Sequence, residues 1–257
     1  MNDSVLDTSG WSTERRRSRT VQKPASKLQK AANAACLATT AAALVLGWQL
    51  LSAGLASSHV SASLQQWSRL GQAPEAQQFQ AVLESAKRAN ARYPVASGAY
   101  LDQLGQVQAW QAFDVPAGAP QARESRLAAL QAYRQAVAAR PTWPNTWARL
   151  ATIKFALGEL DSEYQHAVQQ ANQWGAWRPD VQLELASIGL RAWPELNSGQ
   201  RGTALESMHK VMAGPRGDAL TLFRLARLAG LQHVICHGAA EHNTRAQQLC
   251  TSTGGKI

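Results

Sequence analysis

The feature that most constrains this chain is the stretch 31–58, which carries no charged side chain. Alanine and leucine dominate it, and it exceeds the roughly 20 apolar residues that a helix needs to cross about 30 Å of hydrocarbon. A buried helix of a soluble domain rarely stays free of charge on every face over such a length. We therefore predict a single transmembrane helix over residues 31–56.

Two other interpretations of the uncharged stretch stay open at this point. Asn33, Gln49 and the many alanines make it only moderately hydrophobic, which leaves room for a buried soluble helix. Residues 60–62, Val-Ser-Ala, resemble the small-residue cleavage site of a signal peptide. However, the apolar stretch and the segment before it are both longer than in a typical signal peptide. An uncleaved signal anchor is the favoured interpretation.

The segment 1–30, before this helix, forms a basic leader with a net charge of +4. Three acidic residues are outnumbered by seven basic ones, namely Arg15, Arg16, Arg17, Arg19, Lys23, Lys27 and Lys30. Serine and threonine fill the spaces without apolar periodicity, which indicates disorder. Because positively charged flanks stay in the cytoplasm, we predict a cytoplasmic N-terminus and an exported C-terminal part. In a bacterium, this describes a single-pass inner-membrane protein with a periplasmic domain.

The rest of the chain is predicted to be all-α. Apolar positions recur at spacings of three and four residues, and no segment alternates with period two. We expect a juxtamembrane helix or linker at 57–73, a helical domain at 74–236 and a tail at 237–257. The predicted helices are 60–70, 74–92, 97–113, 123–139, 145–157, 161–173, 179–192, 203–213 and 217–229, with a weaker one at 231–249.

Three helix starts carry capping signals. Asp161 and Asp218 follow glycine turns and are predicted N-caps. The segment from Thr203 to Glu206 has the pattern of a capping box, which predicts that a helix starts at Thr203.

The helices also repeat in pairs. Tyr100 and Trp147 each fall six residues after a proline. The intervals between successive prolines of this pattern become nearly equal once the Pro/Gly-rich insertion at 114–121 is removed from the longer interval. An aromatic residue and a leucine on the first helix, a glycine turn and small residues on the second follow the tetratricopeptide layout, although Lys154 occupies an aromatic position. The sequence predicts stacked helical hairpins, either a tetratricopeptide-like α-solenoid or a compact helical domain of that character.

A series of motifs runs through residues 90–236. They are RPTWPNTW at 140–147, LATIK at 150–154, GELD at 158–161, GAWRPDVQL at 175–183, GLRAW at 189–193 and LFRLARLAG at 222–230. This series resembles the VpsP family of polysaccharide-biosynthesis accessory proteins, which typically shows Gly-Pro-Trp where this chain has Gly-Ala-Trp at 175–177. The resemblance implies a small, membrane-anchored helical protein that acts with exopolysaccharide synthesis and export machinery, and it supplies no catalytic residues.

Candidate catalytic groups are few. Ser207 and Lys210 match the Ser-x-x-Lys pattern of penicillin-interacting serine enzymes, but the partner motifs of those enzymes are missing downstream. Glu159, Asp161 and Glu163 could supply a glycosidase with two carboxylates. Their position at a helix start is better explained by capping and by the helix dipole. The sequence therefore predicts no catalytic residue, no enzyme activity and no cofactor.

The C-terminal part holds the densest group of histidines and cysteines: His233, Cys236, His237, His242 and Cys250. Their spacing fits no zinc site. A disulfide between Cys236 and Cys250 is favoured over two free thiols, because an exported domain is in an oxidising compartment. It would close a loop of about 15 residues and contribute on the order of 3 kcal/mol. Cys36 lies in the predicted membrane helix and is not available for pairing.

Nine of the chain's aromatic residues are tryptophans, more than its tyrosines and phenylalanines combined, and five of them fall between positions 143 and 193. Exposed rings could stack on sugars or contact a protein partner, whereas buried rings would pack between repeats. We favour packing for Trp147 and Trp177, and exposure for Trp143 and Trp174, which lie in predicted loops.

Charge outside the leader indicates no nucleic-acid partner, because its net +5 is spread singly over the helices. The function expected is that of a non-catalytic scaffold or assembly factor in exopolysaccharide synthesis or export, with the membrane and protein subunits of that machinery as partners. Two alternatives stay open: a protein that binds or modifies the polysaccharide itself, and a tetratricopeptide adaptor in another envelope process.

Overall fold

A computed structural model of the protein describes residues 26–239 and 244–253. Every regular element in these two ranges is a helix, which confirms the all-α prediction. Of the basic leader, Lys27 and Lys30 fall within the described residues, and the five remaining basic residues fall outside them.

The first helix, α1, runs without interruption from Lys27 to Leu70. It is long and apolar enough to cross a membrane, and its most apolar 18-residue stretch is not buried at all. The separate helix predicted at 60–70 is part of α1, because no proline lies between residues 27 and 70 to end the first segment. The helix ends at Gly71, whose positive φ of 62° suits glycine.

Eight further helices follow in the described part of the chain. They are α2 (Ala76–Arg92), α3 (Gly98–Trp110), α4 (Arg123–Ala139), α5 (Pro144–Ala156), α6 (Ser162–Gly175), α7 (Pro179–Arg191), α8 (Ser198–Ala213) and α9 (Arg216–Leu228). A short α10 (Gln232–Val234), a π-helical turn (Ile235–Ala239) and α11 (Thr244–Thr253) complete the described chain. Compact 3₁₀ turns at Pro120–Ala122 and Trp193–Glu195 precede α4 and α8.

The described part of the chain divides into two units, and the division lies between Val45 and Leu46. Within the second unit, the closest packing joins α3 to α4, α5 to α6 and α7 to α8. Contacts of α4 with α5 and of α5 with α7 then join one hairpin to the next. The described residues of this unit are therefore stacked helical hairpins, as predicted.

Two glycines allow the helices of a hairpin to approach closely. A Cβ atom at Gly105 would lie 2.5 Å from a ring carbon of Tyr133, which is in α4. A Cβ atom at Gly189 would lie 2.5 Å from the Cβ of Ala204, which is in α8. Real Cβ atoms do not approach so closely, so these sites require glycine for packing rather than for an unusual φ angle.

The last part of α1 belongs to the helical domain. Val60, Leu64 and Trp67 are buried against apolar side chains of α2 and against Val107 of α3. The Trp67 ring also meets the Trp110 ring edge to face, with centroids 5.9 Å apart. Burial of these side chains, which contribute roughly 1.5–3 kcal/mol each, holds residues 60–67 in the domain.

One of the predicted helix caps is confirmed. The Asp161 carboxylate accepts hydrogen bonds from the backbone N–H groups of Glu163 and Tyr164, each at 3.1 Å, and α6 starts directly after it.

Two predicted helix starts are wrong. Helix α8 begins five residues before Thr203, because Asn197 and Gln200 form a reciprocal capping box, and the Thr203 hydroxyl instead donates to the Gly199 carbonyl. Helix α9 begins at Arg216, so Asp218 lies inside its first turn instead of capping it. Its negative charge still stabilises the helix there, because it interacts favourably with the helix dipole.

Candidate functional site

A cleft of about 430 Å³ opens along α3, α5 and α7, the first helices of three successive hairpins. Its apolar lining includes Trp110, Phe113, Ile153 and Phe155, and its polar lining includes Gln106, Arg149, Thr152, Glu184 and Arg191. Stacked helical repeats present such surfaces to their ligands, because equivalent helices of successive repeats line up on one side. The cleft is therefore the candidate functional site.

An ion pair between the partly buried Arg149 and the buried Asp102 joins α5 to α3 at the cleft. Arg149 Nη1 lies 2.6 Å from Asp102 Oδ2, which also accepts a hydrogen bond from Gln106 Nε2 at 2.9 Å. Burial by itself would lower the pKa of Arg149, but the negative charge of Asp102, with smaller contributions from neighbouring groups, outweighs it and raises that pKa. The pair joins α3 to α5 and holds the two helices side by side.

Glu184 places a second carboxyl group in the cleft, from α7. It accepts a hydrogen bond from Thr152 Oγ1 at 2.8 Å. Burial raises the pKa of Glu184, and the positive charge of Arg149 offsets this only in part. A ligand that brings a cation or a hydrogen-bond donor would therefore lower the cost of ionising this carboxyl group.

The insertion predicted at 114–121 forms a wall of the cleft through Val115 and Ala117. Arg126, which is 4% exposed, holds it in place. Its guanidinium group donates to the carbonyls of Val115, Pro116 and Ala156 at 2.5, 2.9 and 2.8 Å. Because all three acceptors are backbone atoms, this arginine is used for structure rather than for ligand binding.

The three candidate carboxylates of the α5–α6 turn surround Lys154 instead of a substrate cleft. The Lys154 side chain is only 2% exposed, and its Nζ lies 2.5, 2.7 and 3.4 Å from Glu159, Asp161 and Glu163. Burial by itself would lower the pKa of Lys154, but hydrogen bonds to Asp161 and Glu159 raise it above the usual value. Nothing in this geometry favours glycosidase chemistry.

The Ser-x-x-Lys pattern does not form a catalytic pair either. Ser207 is 1% exposed, and its hydroxyl group has no hydrogen-bond partner within the described ranges. Lys210 Nζ pairs with Glu206 of the same helix at 2.7 Å. A nucleophile must reach solvent and a base, and Ser207 reaches neither.

Cys236 and Cys250 form a disulfide, with their Cα atoms 5.8 Å apart. It links the π-helical turn to α11. Cys36, the third cysteine, is exposed on α1 and is not bonded. Among residues 26–239 and 244–253, no group of three or more His, Cys, Asp or Glu side chains could hold a metal ion, while His242 lies outside these ranges.

Trp147 is partly buried and packs against the apolar core, as favoured by the sequence. Its Nε1 donates to the Pro141 carbonyl at 2.6 Å, and its ring meets the His166 ring edge to face. The packing expected for Trp177 is wrong, because this side chain is 80% exposed. The reason is local: Trp177 lies in the connection between α6 and α7, beyond the ends of both helices.

Trp143 and Trp174 are partly exposed, at 38% and 39%. The guanidinium carbons of Arg140 and Arg178 lie 4.1 and 5.4 Å from the Trp143 ring centroid. The four candidate tryptophans do not line the cleft, so the structure separates them from the ion pair of α3 and α5.

The sequence alone does not reveal the cleft, because its lining comes from α3, α4, α5 and α7 and from the segment between α3 and α4. The signal that was available is the insertion at 114–121, which interrupts an otherwise regular repeat and becomes a wall of the cleft. The sequence also gives one signal for the buried charge of Lys154, because this lysine occupies a repeat position that is usually aromatic.

Compared with protein-family models, curated proteins and solved structures, the chain matches none of them.

Proposed function

We propose that this chain is a membrane-anchored, non-catalytic scaffold whose cleft binds a segment of a partner protein during exopolysaccharide synthesis or export. The observation that carries the proposal is the cleft itself. It is open, it runs across three hairpins, and it combines aromatic rings with fixed charges.

The chemistry of the cleft supports binding rather than catalysis. The Arg149 guanidinium and the Asp102 carboxylate neutralise each other, and Arg126 is hydrogen-bonded to backbone carbonyls. Trp110 and Phe113 stack with ring centroids 4.3 Å apart and present an apolar surface at one side of the cleft. Rigid aromatic rings next to fixed charges are typical of sites that anchor a peptide segment.

A location outside the cytoplasm is supported by three features. Helix α1 is long and apolar enough to serve as an anchor. The basic leader before it favours a cytoplasmic N-terminus. The Cys236–Cys250 disulfide fits an oxidising compartment such as the periplasm.

The pathway rests on the resemblance of residues 90–236 to the VpsP family. That resemblance implies partners among polymer synthases, co-polymerases and export subunits. The adaptor alternative shares the same cleft and differs only in the proteins that bind there.

Photocrosslinking in native membranes tests the proposal. Phe113, which is about half exposed in the cleft, is replaced by a photoreactive phenylalanine analogue, and Leu228, an exposed apolar residue outside the cleft lining, is the matched control. We expect a discrete adduct with a subunit of the polymer machinery from position 113 alone.

Two outcomes would contradict the proposal. Identical adducts from positions 113 and 228 would mean that the cleft does not select a partner. A specific adduct with an unrelated envelope protein would keep the scaffold but remove the polysaccharide pathway.

A further inference from the structure

The connections between successive hairpins lie together along one edge of the stack. We name residues 93–97, 140–143 and 176–178 the inter-hairpin edge. A Cβ atom at Gly98 would lie 2.8 Å from the Cβ of Arg140, so the first two connections adjoin. The Arg178 guanidinium carbon lies 5.4 Å from the Trp143 ring centroid, so the second and third connections adjoin as well.

Helix α1 reaches the level of this edge at residues 48–52. Within the unit that starts at Leu46, Trp48 and Ser52 of α1 line the same cavity as Arg88 and Arg92 in the last two turns of α2. The inter-hairpin edge begins directly after α2 ends. Trp48 and Ser52 are therefore the part of α1 next to the edge.

The same residues mark the end of a minimal membrane span. The predicted span at 31–56 is longer than the about 20 residues that a helix needs to cross the hydrocarbon, so a minimal span that begins after Lys30 ends near residue 50. Ser52 and Ala53, which follow, are buried within the protein. Trp48, which is exposed, would then lie at the outer interface, where tryptophan is enriched.

The composition of the inter-hairpin edge fits such an interface. Its exposed apolar side chains are Val95, Trp143 and Trp177. Its cations are Arg140 and Arg178, together with the neighbouring Arg88 and Arg92. Two carboxylates lie near these cations: Asp180 pairs with Arg178 at 2.7 Å, and Glu84, which lines the same cavity as Arg88 and Arg92, pairs with Lys87 at 2.9 Å. Amphipathic aromatic rings favour the headgroup layer, and each cation near an anionic surface adds about 1 kcal/mol of attraction.

We propose that the inter-hairpin edge rests on the anionic surface of the bilayer that α1 crosses. Trp177 inserts at headgroup level, and Arg92, Arg140 and Arg178 contact lipid phosphates. The inference rests on the anchor function of α1 proposed above, but not on the identity of the partner that binds in the cleft. It assigns a role to the exposed tryptophans, which the cleft does not use.

A sugar ligand is the competing occupant of this edge, and the geometry favours lipid over sugar. The Arg140 guanidinium group covers the Trp143 ring at 4.1 Å, so a sugar ring would have to displace it in order to stack there. A lipid phosphate can bind the same guanidinium group without displacing it.

Fluorescence quenching in nanodiscs tests the proposal with the full chain. Cys36 is replaced by alanine so that it does not react with the dye. A thiol-reactive fluorophore is then attached to W177C or, as the matched control, to S198C, without a reductant, so that the Cys236–Cys250 disulfide stays intact. Ser198 is the exposed first residue of α8, directly after the connection that follows α7, whereas residue 177 lies directly before α7. The nanodiscs contain phosphatidylglycerol with a nitroxide near the headgroup.

We expect the label at 177 to lose more than half of its emission and the label at 198 to keep nearly all of it. Replacing Arg140 and Arg178 by glutamate in the W177C background should restore most of the emission. Equal emission from 177 and 198 would overturn the proposal, and so would a change at 177 that requires added polymer rather than lipid. If the chain instead fails to enter the nanodiscs at all, the anchor function itself is refuted.

Discussion

Replacing Lys154 by methionine is the most direct test of the packing described for the helical domain. The substitution keeps a side chain of similar length but leaves Glu159, Asp161 and Glu163 without their central cation. Removing one partner of a fully buried ion pair costs about 3–5 kcal/mol. The three carboxylate side chains here are about a third to a half exposed, so water can solvate them once the lysine is gone. We therefore expect a smaller loss, about 2 kcal/mol in the free energy of unfolding.

Urea unfolding of the full chain in detergent, followed by helical circular dichroism, measures this loss. The matched control is Lys210→Met, which removes an i,i+4 pair at the surface and should cost no more than about 0.5 kcal/mol. The double variant Lys154→Met/Glu159→Gln should be about 1 kcal/mol more stable than the sum of the two single changes predicts. The reason is that glutamine at position 159 is neutral and leaves no unpaired negative charge there when the lysine is removed.

The pH dependence adds a second readout of the same cluster. A hydrogen bond from Arg134 lowers the pKa of Glu163, and Asp161 also has a lowered pKa, because hydrogen bonds from Lys154 and from the backbone outweigh the opposing effect of burial. A carboxyl group with a lowered pKa stabilises the fold above its ordinary pKa, and this contribution is lost as the pH falls through the lowered value. The stability difference between the wild-type chain and Lys154→Met should therefore shrink below about pH 4. A difference that is absent at pH 7, or unchanged at pH 3, would refute the proposed role of Lys154.

Three further predictions concern the cleft and the helix packing. Glu184→Gln should stabilise the chain at pH 7 and not at pH 3. Burial raises the pKa of this carboxyl group, so its ionisation at pH 7 destabilises the folded state, and glutamine removes that cost. Thermal unfolding at both pH values checks this. Phe113→Arg should abolish the partner adduct and reduce polymer yield without lowering the melting temperature, whereas Leu228→Arg, outside the cleft lining, should leave adduct and yield unchanged. Gly105→Ala should lower the free energy of unfolding by about 1–3 kcal/mol, because the added methyl group would clash with the facing tyrosine ring. Gly202→Ala, whose methyl group would meet nothing within 4 Å, should raise the free energy of unfolding by up to about 1 kcal/mol. Urea unfolding measures both changes.

Local patterns predicted most of the helices, because proline, glycine and capping residues act within one turn of where they stand. Asp161 starts a helix as predicted. Thr203 does not, because Asn197 offers a complete capping box ahead of it and the chain between them is compatible with a helix. Which of two adjacent caps is used depends on how the helix packs, and this information is not local.

The cleft and the Lys154 cluster are not predictable from local sequence for a related reason. Arg149 and Asp102 are 47 residues apart and meet only because α3 and α5 stack side by side. Lys154 could be identified as unusual for its repeat position, but the convergence of three carboxylates on it depends on the geometry of the α5–α6 turn. Trp177 shows the reverse case, in which a residue at a helix junction was expected to pack and instead faces solvent.

The wall formed by the insertion at 114–121 has a consequence for how related chains can diverge. Arg126 holds this segment through backbone carbonyls, so its side chains can change while its attachment is preserved. A lysine at position 126 could not reach three acceptors with one planar group. Chains that keep this arginine can therefore acquire new binding preferences by variation within the short insertion alone, while the stacked helices behind it stay under the stricter selection imposed by their packing.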